Sequence, residues 1–237
     1  MSTFRHAVLA TLLLLPATAV PAIPAPASPG AESDLAVRLS RAAPGLDRAV
    51  LARALSTMDC AVASHATPAP ARLAVIDYTL PSTEVRMWVF DLQRARLLAA
   101  EHVAHGRGSG DNLATAFSNV EGSHQSSLGL FRMAETYVGG NGYSLRMDGL
   151  ERGINDRARE RLVVMHGADY VDPVRARRQG RLGRSFGCPA LRPAVARRVI
   201  DQLKGGQLLF AHADDPAWRR ASPWRACTAR SGAAGVR

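Results

Sequence analysis

The hydrophobic pattern divides the chain into a helical segment and a strand-rich segment. Between residues 34 and 58 apolar side chains recur at helical spacing, and Pro44-Gly45 interrupts them, so we expect two short helices in an N-terminal segment of residues 34–64. After the Pro-containing residues 65–71, short apolar runs alternate with Gly, Asn, Ser and Pro, which predicts strands. The predicted strands are residues 73–76, 85–92, 97–103, 127–133 and 143–147.

The second half of the chain predicts further helices and strands. Residues 156–161 have a helix-like pattern behind Asn155 as a cap. The apolar run 162–165 predicts a buried strand that His166-Gly167 closes, so this histidine stands at a strand end. The last predicted elements are a helix over 193–204, stopped by Gly205-Gly206, a strand over 207–210 and a loose polar tail over 214–237. The whole predicts a mainly β, α+β domain over residues 72–213 with flanking helices.

The first 33 residues are typical of an export signal and a linker. Arg5 precedes the apolar run 7–15, and Ala17-Thr18-Ala19 follows as a small-residue cleavage site. The run is too short to span a membrane comfortably, and residues 20–33 are rich in Pro and Ala. We expect residues 1–19 to be removed, with cleavage after Ala22 or Ala27 as alternatives. The mature protein would then lie in the periplasm or cell envelope, without an integral membrane segment.

Composition and net charge indicate the broad class of the protein and the kind of partner it can bind. With 47% apolar and 21% charged residues, the chain has the make-up of a soluble globular protein. Its formal charge of +10 favours an anionic partner, such as nucleic acid, acidic lipid or an acidic wall polymer. Lys204 is the only lysine and the arginines are scattered, whereas nucleic-acid binding usually shows a concentrated basic footprint, so no nucleic-acid partner is expected.

Three cysteines in an exported chain leave one thiol over, which marks a reactive site. Cys60 and Cys227 could pair across the domain, and Cys188 would then remain free. Cys188 follows Gly187 in the segment Ser185-Phe186-Gly187-Cys188-Pro189, where we expect a loop that leads into a helix. Amides at a helix N-terminus, together with the charges of Arg181 and Arg184, would favour its thiolate. His166 is the natural general base.

Three other patterns offer alternatives. Residues 183–187 match the serine nucleophile elbow, which would make Ser185 the nucleophile, but the buried strand that this motif requires does not precede them. Residues 106–110 suggest a phosphate loop but lack its terminal Gly-Lys-Ser/Thr and a following helix. His102, His105 and Asp111 could be metal ligands, but no second pair at the usual spacing supports them, so we expect neither a metal nor another cofactor. Cys188 itself could be an inert core thiol.

The pair His166-Gly167 and Ser185-Phe186-Gly187-Cys188 resembles the secreted branch of the murein L,D-transpeptidase catalytic domain family. That family has a His-Gly-type motif followed by a Ser/Thr-x-Gly-Cys motif that holds the nucleophile. The likeness spans residues 73–210 and includes the segments 104–110, 117–119, 144–146 and 183–185.

The resemblance implies a β-sandwich catalytic domain and acyl transfer on peptidoglycan stem peptides through a thioester on Cys188. His166 would be the general base, and backbone amides around Gly187 and Cys188 would hold the oxyanion. Water as the acceptor would make the protein an L,D-carboxypeptidase, and a non-catalytic basic cell-wall-binding protein is the remaining alternative. The implied substrate-binding residues are Arg184, Ser185, Gly167, His105, Ser118, Asn119 and Arg146.

The chain departs from many members of the family at two positions. Phe186 stands where they place a second histidine, and Ala190 stands where they place an arginine. The contribution of that histidine must therefore come from elsewhere or be absent. His105, Arg184 and a backbone group are the candidate replacements.

Overall fold

The computed structural model describes residues 34–227, so the predicted signal peptide and linker lie outside the described residues. Two helices, α1 (Asp34–Ala42) and α2 (Arg48–Ala63), form the N-terminal segment on either side of Pro44-Gly45. Asp47 caps α2, because its carboxylate accepts hydrogen bonds from the amides of Ala49 (2.7 Å) and Val50 (3.1 Å). The two helices that the apolar spacing predicts are therefore present.

The remaining described chain consists of eight strands and three helices, which confirms a mainly β fold with flanking helices. Every predicted strand run contains a strand, and a further two-residue strand lies just after Cys188. In chain order the elements are β1 (Arg72–Asp77), β2 (Met87–Asp91), β3 (Arg96–Glu101), β4 (Gly129–Gly139), β5 (Gly142–Gly149), β6 (Val164–Gly167), α3 (Pro173–Gln179), β7 (Ala190–Leu191), α4 (Pro193–Leu203), β8 (Gln207–His212) and α5 (Pro216–Ala221).

The strands form one continuous sheet that bends close to a barrel. Their order is β3-β2-β1-β8-β4-β5-β6-β7. The chain beyond β3 reaches back to β7, because the Ala104 amide donates to the Ala190 carbonyl oxygen (2.9 Å) and Gly106 bridges to Ser185. This closure pairs backbone groups that an open sheet edge would expose. It also sets residues 104–106 against the segment that carries Cys188.

The core lies between the sheet and its helices. Helix α4 packs on β6, β1 and β5, while α2 packs on β1 and β8. Phe90, Phe131 and Phe210 are among the largest fully buried side chains. A second, smaller apolar cluster includes Ala176 of α3 and Leu182, and it underlies the loop before Cys188. The loop therefore rests on apolar support of its own.

Residues 156–161 form successive turns, so the predicted helix there is wrong. Asn155 does not cap a helix, because its side chain is used elsewhere. Its Oδ1 accepts from the Glu151 amide (2.9 Å) and its Nδ2 donates to the Leu128 carbonyl oxygen (2.8 Å). Leu162, with a φ of 56°, then turns the chain into β6. The buried amide thus ties these turns to the start of β4.

The segment after Asp214 is not a loose tail as far as Cys227. It contains α5, and the buried Trp218 donates from Nε1 to Glu151 Oε2 (3.1 Å). Cys227 forms a disulfide with Cys60 of α2, with 6.3 Å between their Cα atoms, which leaves Cys188 as the free cysteine. Within residues 34–227, no helix is long and apolar enough to cross a membrane.

Candidate active site

Cys188 and His166 lie on neighbouring backbone segments. Strands β6 and β7 pair in parallel, with His166 opposite Ala190. Two residues earlier on each segment, Cys188 lies beside Val164, whose amide donates a hydrogen bond to the Cys188 sulfur (3.4 Å). Side chains two residues apart on a strand share a face, so Val164 and His166 point to the same side of the sheet. The His166 imidazole therefore lies on the same face of the sheet as Val164, two residues further along β6 than the point where the Cys188 sulfur contacts that strand.

The Cys188 sulfur is a buried thiol. Its residue is 9% exposed, and the S–H donates to the Leu162 carbonyl oxygen (3.7 Å). Burial raises the pKa of the thiol, and the Val164 amide, the charge of Arg161 and the amide of Cys188 itself offset only part of that effect. The thiol is therefore neutral in the free protein at neutral pH, and the predicted stabilised thiolate is wrong for this state.

The sources of thiolate stabilisation that the sequence suggested lie elsewhere. Cys188 precedes strand β7, and helix α4 begins only at Pro193, so the loop that carries Cys188 leads into a strand and not into the expected helix. Arg181 and Arg184 both bind Asp111, at 2.8 Å and 3.3 Å. Arg184 also donates to the Gly110 carbonyl oxygen (2.7 Å). The two guanidinium groups thus brace the loop at residues 110–111.

His166 is held as a neutral imidazole. Its Nδ1 lies 2.9 Å from the Gly167 carbonyl oxygen, and since a carbonyl can only accept, Nδ1 carries the proton. That leaves the lone pair of Nε2 free to act as a base. Burial lowers the pKa of His166, and the bond to the Gly167 carbonyl offsets part of this. By accepting a hydrogen bond from Nδ1, the Gly167 carbonyl thus selects the tautomer that a general base needs.

Ser185 shapes the turn that presents Cys188. Its Oγ accepts from the Gly187 amide (3.0 Å) and donates to the Cys188 carbonyl oxygen (2.7 Å), and the side chain is buried. Both bonds stay within the motif, so the hydroxyl is engaged with the backbone and is not aimed at an external substrate. This arrangement speaks against Ser185 as a nucleophile and gives it a positioning role.

Gly187 is required for its conformation. Its φ is +128°, and a Cβ built there would come within 2.9 Å of the Gln125 carbonyl oxygen. Gly106 packs on the same turn, where a Cβ would lie 2.8 Å from the Gly187 Cα. The Gly187 amide is bonded to Ser185 and cannot serve an oxyanion, whereas the Cys188 amide makes no hydrogen bond to another of the described residues. Of the two amides expected to hold an oxyanion, that of Cys188 is therefore the one available to bind it.

Arg161 is a site residue that the sequence did not suggest. Its Nη1 donates to the Ser118 carbonyl oxygen (2.7 Å) and to Ser127 Oγ (2.6 Å), and its Nη2 donates to the Gln125 carbonyl oxygen (2.8 Å). One half-buried guanidinium thus holds residues 118–127 as a wall beside the Cys188 turn. Its charge is also the one that favours the Cys188 thiolate. Nothing in an Arg-rich stretch distinguishes this arginine from its neighbours.

His105 lies behind the Cys188 turn and is fully buried. Arg86, which is also fully buried, donates from Nη2 to His105 Nδ1 (2.7 Å), so this imidazole is neutral. Burial and then the charge of Arg86 lower the pKa of His105 to about 4. Its Nε2 makes no hydrogen bond of good geometry, although the backbone of Gly110 and Asp111 lies close enough to raise that pKa. His105 supports the turn, since its carbonyl oxygen accepts from the Ser185 amide (3.0 Å).

The other implied substrate-binding residues have contacts within the protein. Asn119 donates to Asp156 Oδ1 (2.7 Å). The Ser118 carbonyl oxygen accepts from Arg161, and Gly167 packs so closely on α4 that a Cβ would meet Ala196 at 3.0 Å. Arg146 pairs with Glu135 (3.2 Å) and stacks on the Tyr137 ring. Its position opposite Val164 on β5 places it on the face of the sheet that carries His166.

Within residues 34–227, no group of three or more His, Cys, Asp or Glu side chains is arranged to hold a metal ion. The site itself presents the thiol of Cys188, the imidazole of His166 and the backbone amide of Cys188. A neutral thiol beside a neutral base can transfer its proton as it attacks an electrophile.

The L,D-transpeptidase catalytic domain model matches residues 42–212. Similar solved structures include an L,D-transpeptidase from Mycobacterium smegmatis (15% identity, TM-score 0.37, 60% of this chain and 59% of that one) and L,D-transpeptidase 3 from Mycobacterium tuberculosis (12%, 0.38, 61% and 62%). Another is an L,D-transpeptidase from Stackebrandtia nassauensis (12%, 0.37, 76% of each chain). The chain thus spans less than two thirds of the two mycobacterial proteins.

No curated protein matches the sequence. The matched family model nevertheless covers well over half of the chain, and its range contains α2, all eight strands, Cys188 and His166. The resemblance seen in the two motifs is therefore confirmed over the whole sheet. The protein belongs to the L,D-transpeptidase catalytic domain family.

Proposed function

We propose that the protein transfers acyl groups between peptidoglycan stem peptides through a thioester on Cys188. The observation that carries this proposal is the pairing of β6 with β7, which sets the Cys188 sulfur beside the strand that carries His166. Membership of the L,D-transpeptidase catalytic domain family supports the class of reaction. The net charge of +10 suits an acidic wall polymer as the substrate.

In the first step, His166 Nε2 accepts the thiol proton while the sulfur attacks the carbonyl carbon that joins an L-centre to a D-residue. The Cys188 amide stabilises the oxyanion. The carbon–nitrogen bond breaks, His166 returns the proton to the departing D-amino acid, and a thioester remains. An acceptor amine then attacks the thioester, His166 takes its proton, and the sulfur leaves and is protonated again.

Neutral reactants are compatible with this scheme. Burial raises the pKa of the Cys188 thiol and lowers the pKa of the His166 imidazole, so both groups rest uncharged. Charge then develops only as the proton moves, when Arg161 and the Val164 amide favour the thiolate. Ser185 and Gly187 hold the turn, and His105 supports it from behind.

The test uses disaccharide tetrapeptides and mass spectrometry. Cross-linked dimers that have lost one terminal D-residue would support transfer, and tripeptides alone would identify an L,D-carboxypeptidase that uses water. Cys188→Ala and His166→Gln should each abolish product, whereas the exposed His65→Asn serves as a matched control and should leave it unchanged. Binding to peptidoglycan sacculi with neither product would refute the enzyme and leave a cell-wall-binding protein.

We also propose that the protein works in the periplasm or cell envelope after loss of residues 1–19. The signal-like sequence supports export, and the Cys60–Cys227 disulfide independently supports an oxidising compartment. Fractionation of the producing cells, followed by N-terminal sequencing of the mature chain, tests this. A chain that keeps Met1 and stays in the cytoplasmic fraction would contradict it.

A further inference from the structure

Phe186 forms an exposed aromatic surface two residues from the nucleophile. Its side chain is 63% exposed, although Ser185 before it and Gly187 after it are fixed by the hydrogen bonds of the turn. Two residues span at most about 7 Å of chain, so the backbone that carries the ring lies within that distance of the backbone that carries the sulfur. An exposed ring in a fixed position beside a reactive group is a candidate ligand contact.

Two further side chains complete what we term the Phe186 lip, which consists of Phe186, Arg107 and His124. The Arg107 guanidinium carbon lies 4.4 Å from the centre of the Phe186 ring, and the His124 ring lies 4.7 Å from it. Backbone hydrogen bonds fix all three segments, since the Arg107 amide donates to the Ser185 carbonyl oxygen (2.8 Å) and the Gly108 amide donates to that of His124 (2.9 Å). The lip is therefore preorganised.

Arg107 keeps an uncompensated positive charge in this lip. Its Nε and Nη2 lie 3.3 Å and 3.2 Å from His124 Nδ1, which accepts a hydrogen bond from Nε. Within the described part of the chain, no carboxylate pairs with Arg107, in contrast to Arg181 and Arg184, which share Asp111. Its remaining N–H groups can therefore bind an anion.

We propose that the Phe186 lip binds the terminal D-residue of the donor stem peptide, with the carboxylate on Arg107 and the small apolar side chain on Phe186. This inference rests on the proposed function. The terminal carboxylate is separated from the attacked carbonyl carbon by only two atoms, so a site two residues from the sulfur is within its reach. Guanidinium binds carboxylate through paired, charge-assisted hydrogen bonds, which accounts for an arginine stacked on an aromatic ring here.

The test compares a donor tetrapeptide that ends in D-alanine with the same peptide carrying a terminal amide. The wild-type protein should prefer the free carboxylate about tenfold to a hundredfold in kcat/KM, as expected for a hydrogen bond to a charged group. Arg107→Gln should raise KM for the carboxylate donor by that factor, leave kcat nearly unchanged and reduce the preference to about one. Arg107→Lys should restore part of it, and Arg178→Gln on the exposed face of α3 is the matched control.

A second measurement separates this inference from the proposed function. The two peptides are titrated by calorimetry into Cys188→Ala protein, with and without Arg107→Gln, so that binding is read without turnover. Tighter binding of the carboxylate peptide that disappears with Arg107→Gln supports the lip even if the wild type forms no product. The lip would be overturned if the wild type is active and the preference for the carboxylate peptide survives Arg107→Gln, or if both peptides bind equally well. Either result would leave the proposed function standing.

Discussion

Replacing Ser185 with alanine tests whether this hydroxyl shapes the turn at Cys188. The Ser185 Oγ is buried and makes two hydrogen bonds, one from the Gly187 amide (3.0 Å) and one to the Cys188 carbonyl oxygen (2.7 Å). Alanine removes both and leaves a buried donor and a buried acceptor without partners. It removes only one oxygen atom, so the change in packing volume is small.

The expected loss follows from these two orphaned groups. An unpartnered buried polar group costs about 1–3 kcal/mol, and entry of water would recover part of that, so Ser185→Ala should lower the free energy of unfolding by about 2–4 kcal/mol. The turn should also loosen, which would expose the Cys188 sulfur and speed its alkylation by iodoacetamide. Both effects have the same cause and should appear together.

The assay is urea unfolding followed by tryptophan fluorescence, with the Cys60–Cys227 disulfide kept oxidised. The exposed Ser64→Ala at the end of α2 is the control and should change the free energy of unfolding by less than about 1 kcal/mol. Alkylation of Cys188 is followed by mass spectrometry under native conditions. A loss below about 1 kcal/mol for Ser185→Ala, with an unchanged alkylation rate, would refute the proposed positioning role.

Three other predictions concern charge and cross-linking. Because burial raises the pKa of the Cys188 thiol, its alkylation in the folded protein should be slower at neutral pH than that of an unfolded peptide thiol and should become faster at alkaline pH. Arg161→Gln should raise this pKa further. Alkylation of the folded protein at neutral pH that is faster than that of the peptide would contradict the buried thiol. Burial likewise raises the pKa of Glu151, so the free energy of unfolding of the wild type should fall as pH rises from about 4.5 through the folded-state pKa. Urea unfolding at a series of pH values should show this fall. If Glu151→Gln shows the same pH dependence, Glu151 is not its source. Replacing Cys60 and Cys227 by serine opens a cross-link between positions 167 residues apart and should lower the free energy of unfolding by about 3–5 kcal/mol; unchanged urea midpoints would contradict it.

Local patterns predicted helices α1, α2 and α4, all the strands except β7, and the two candidate reacting residues, but not α3 or α5. Apolar runs bounded by turn residues predicted the long strands, because alternation and burial are properties of short segments. The same local logic placed His166 at a strand end and singled out Cys188 in its Gly-Cys motif. It failed at residues 156–161, where the Asn155 side chain bonds distant backbone groups and turns replace the predicted helix.

The state of the site depends on contacts between residues far apart in the chain, and short sequence patterns contain no information about these. Pairing of β6 with β7 brings Cys188 to Val164, and the bend of the sheet sets Gly106 on Gly187. Burial produced by that packing raises the pKa of the thiol, whereas the motif alone suggested a thiolate. The amino-acid sequence therefore pointed to the candidate reacting residues, while their protonation and the contacts of Arg161 follow from the folded surroundings, because desolvation and charge act through space.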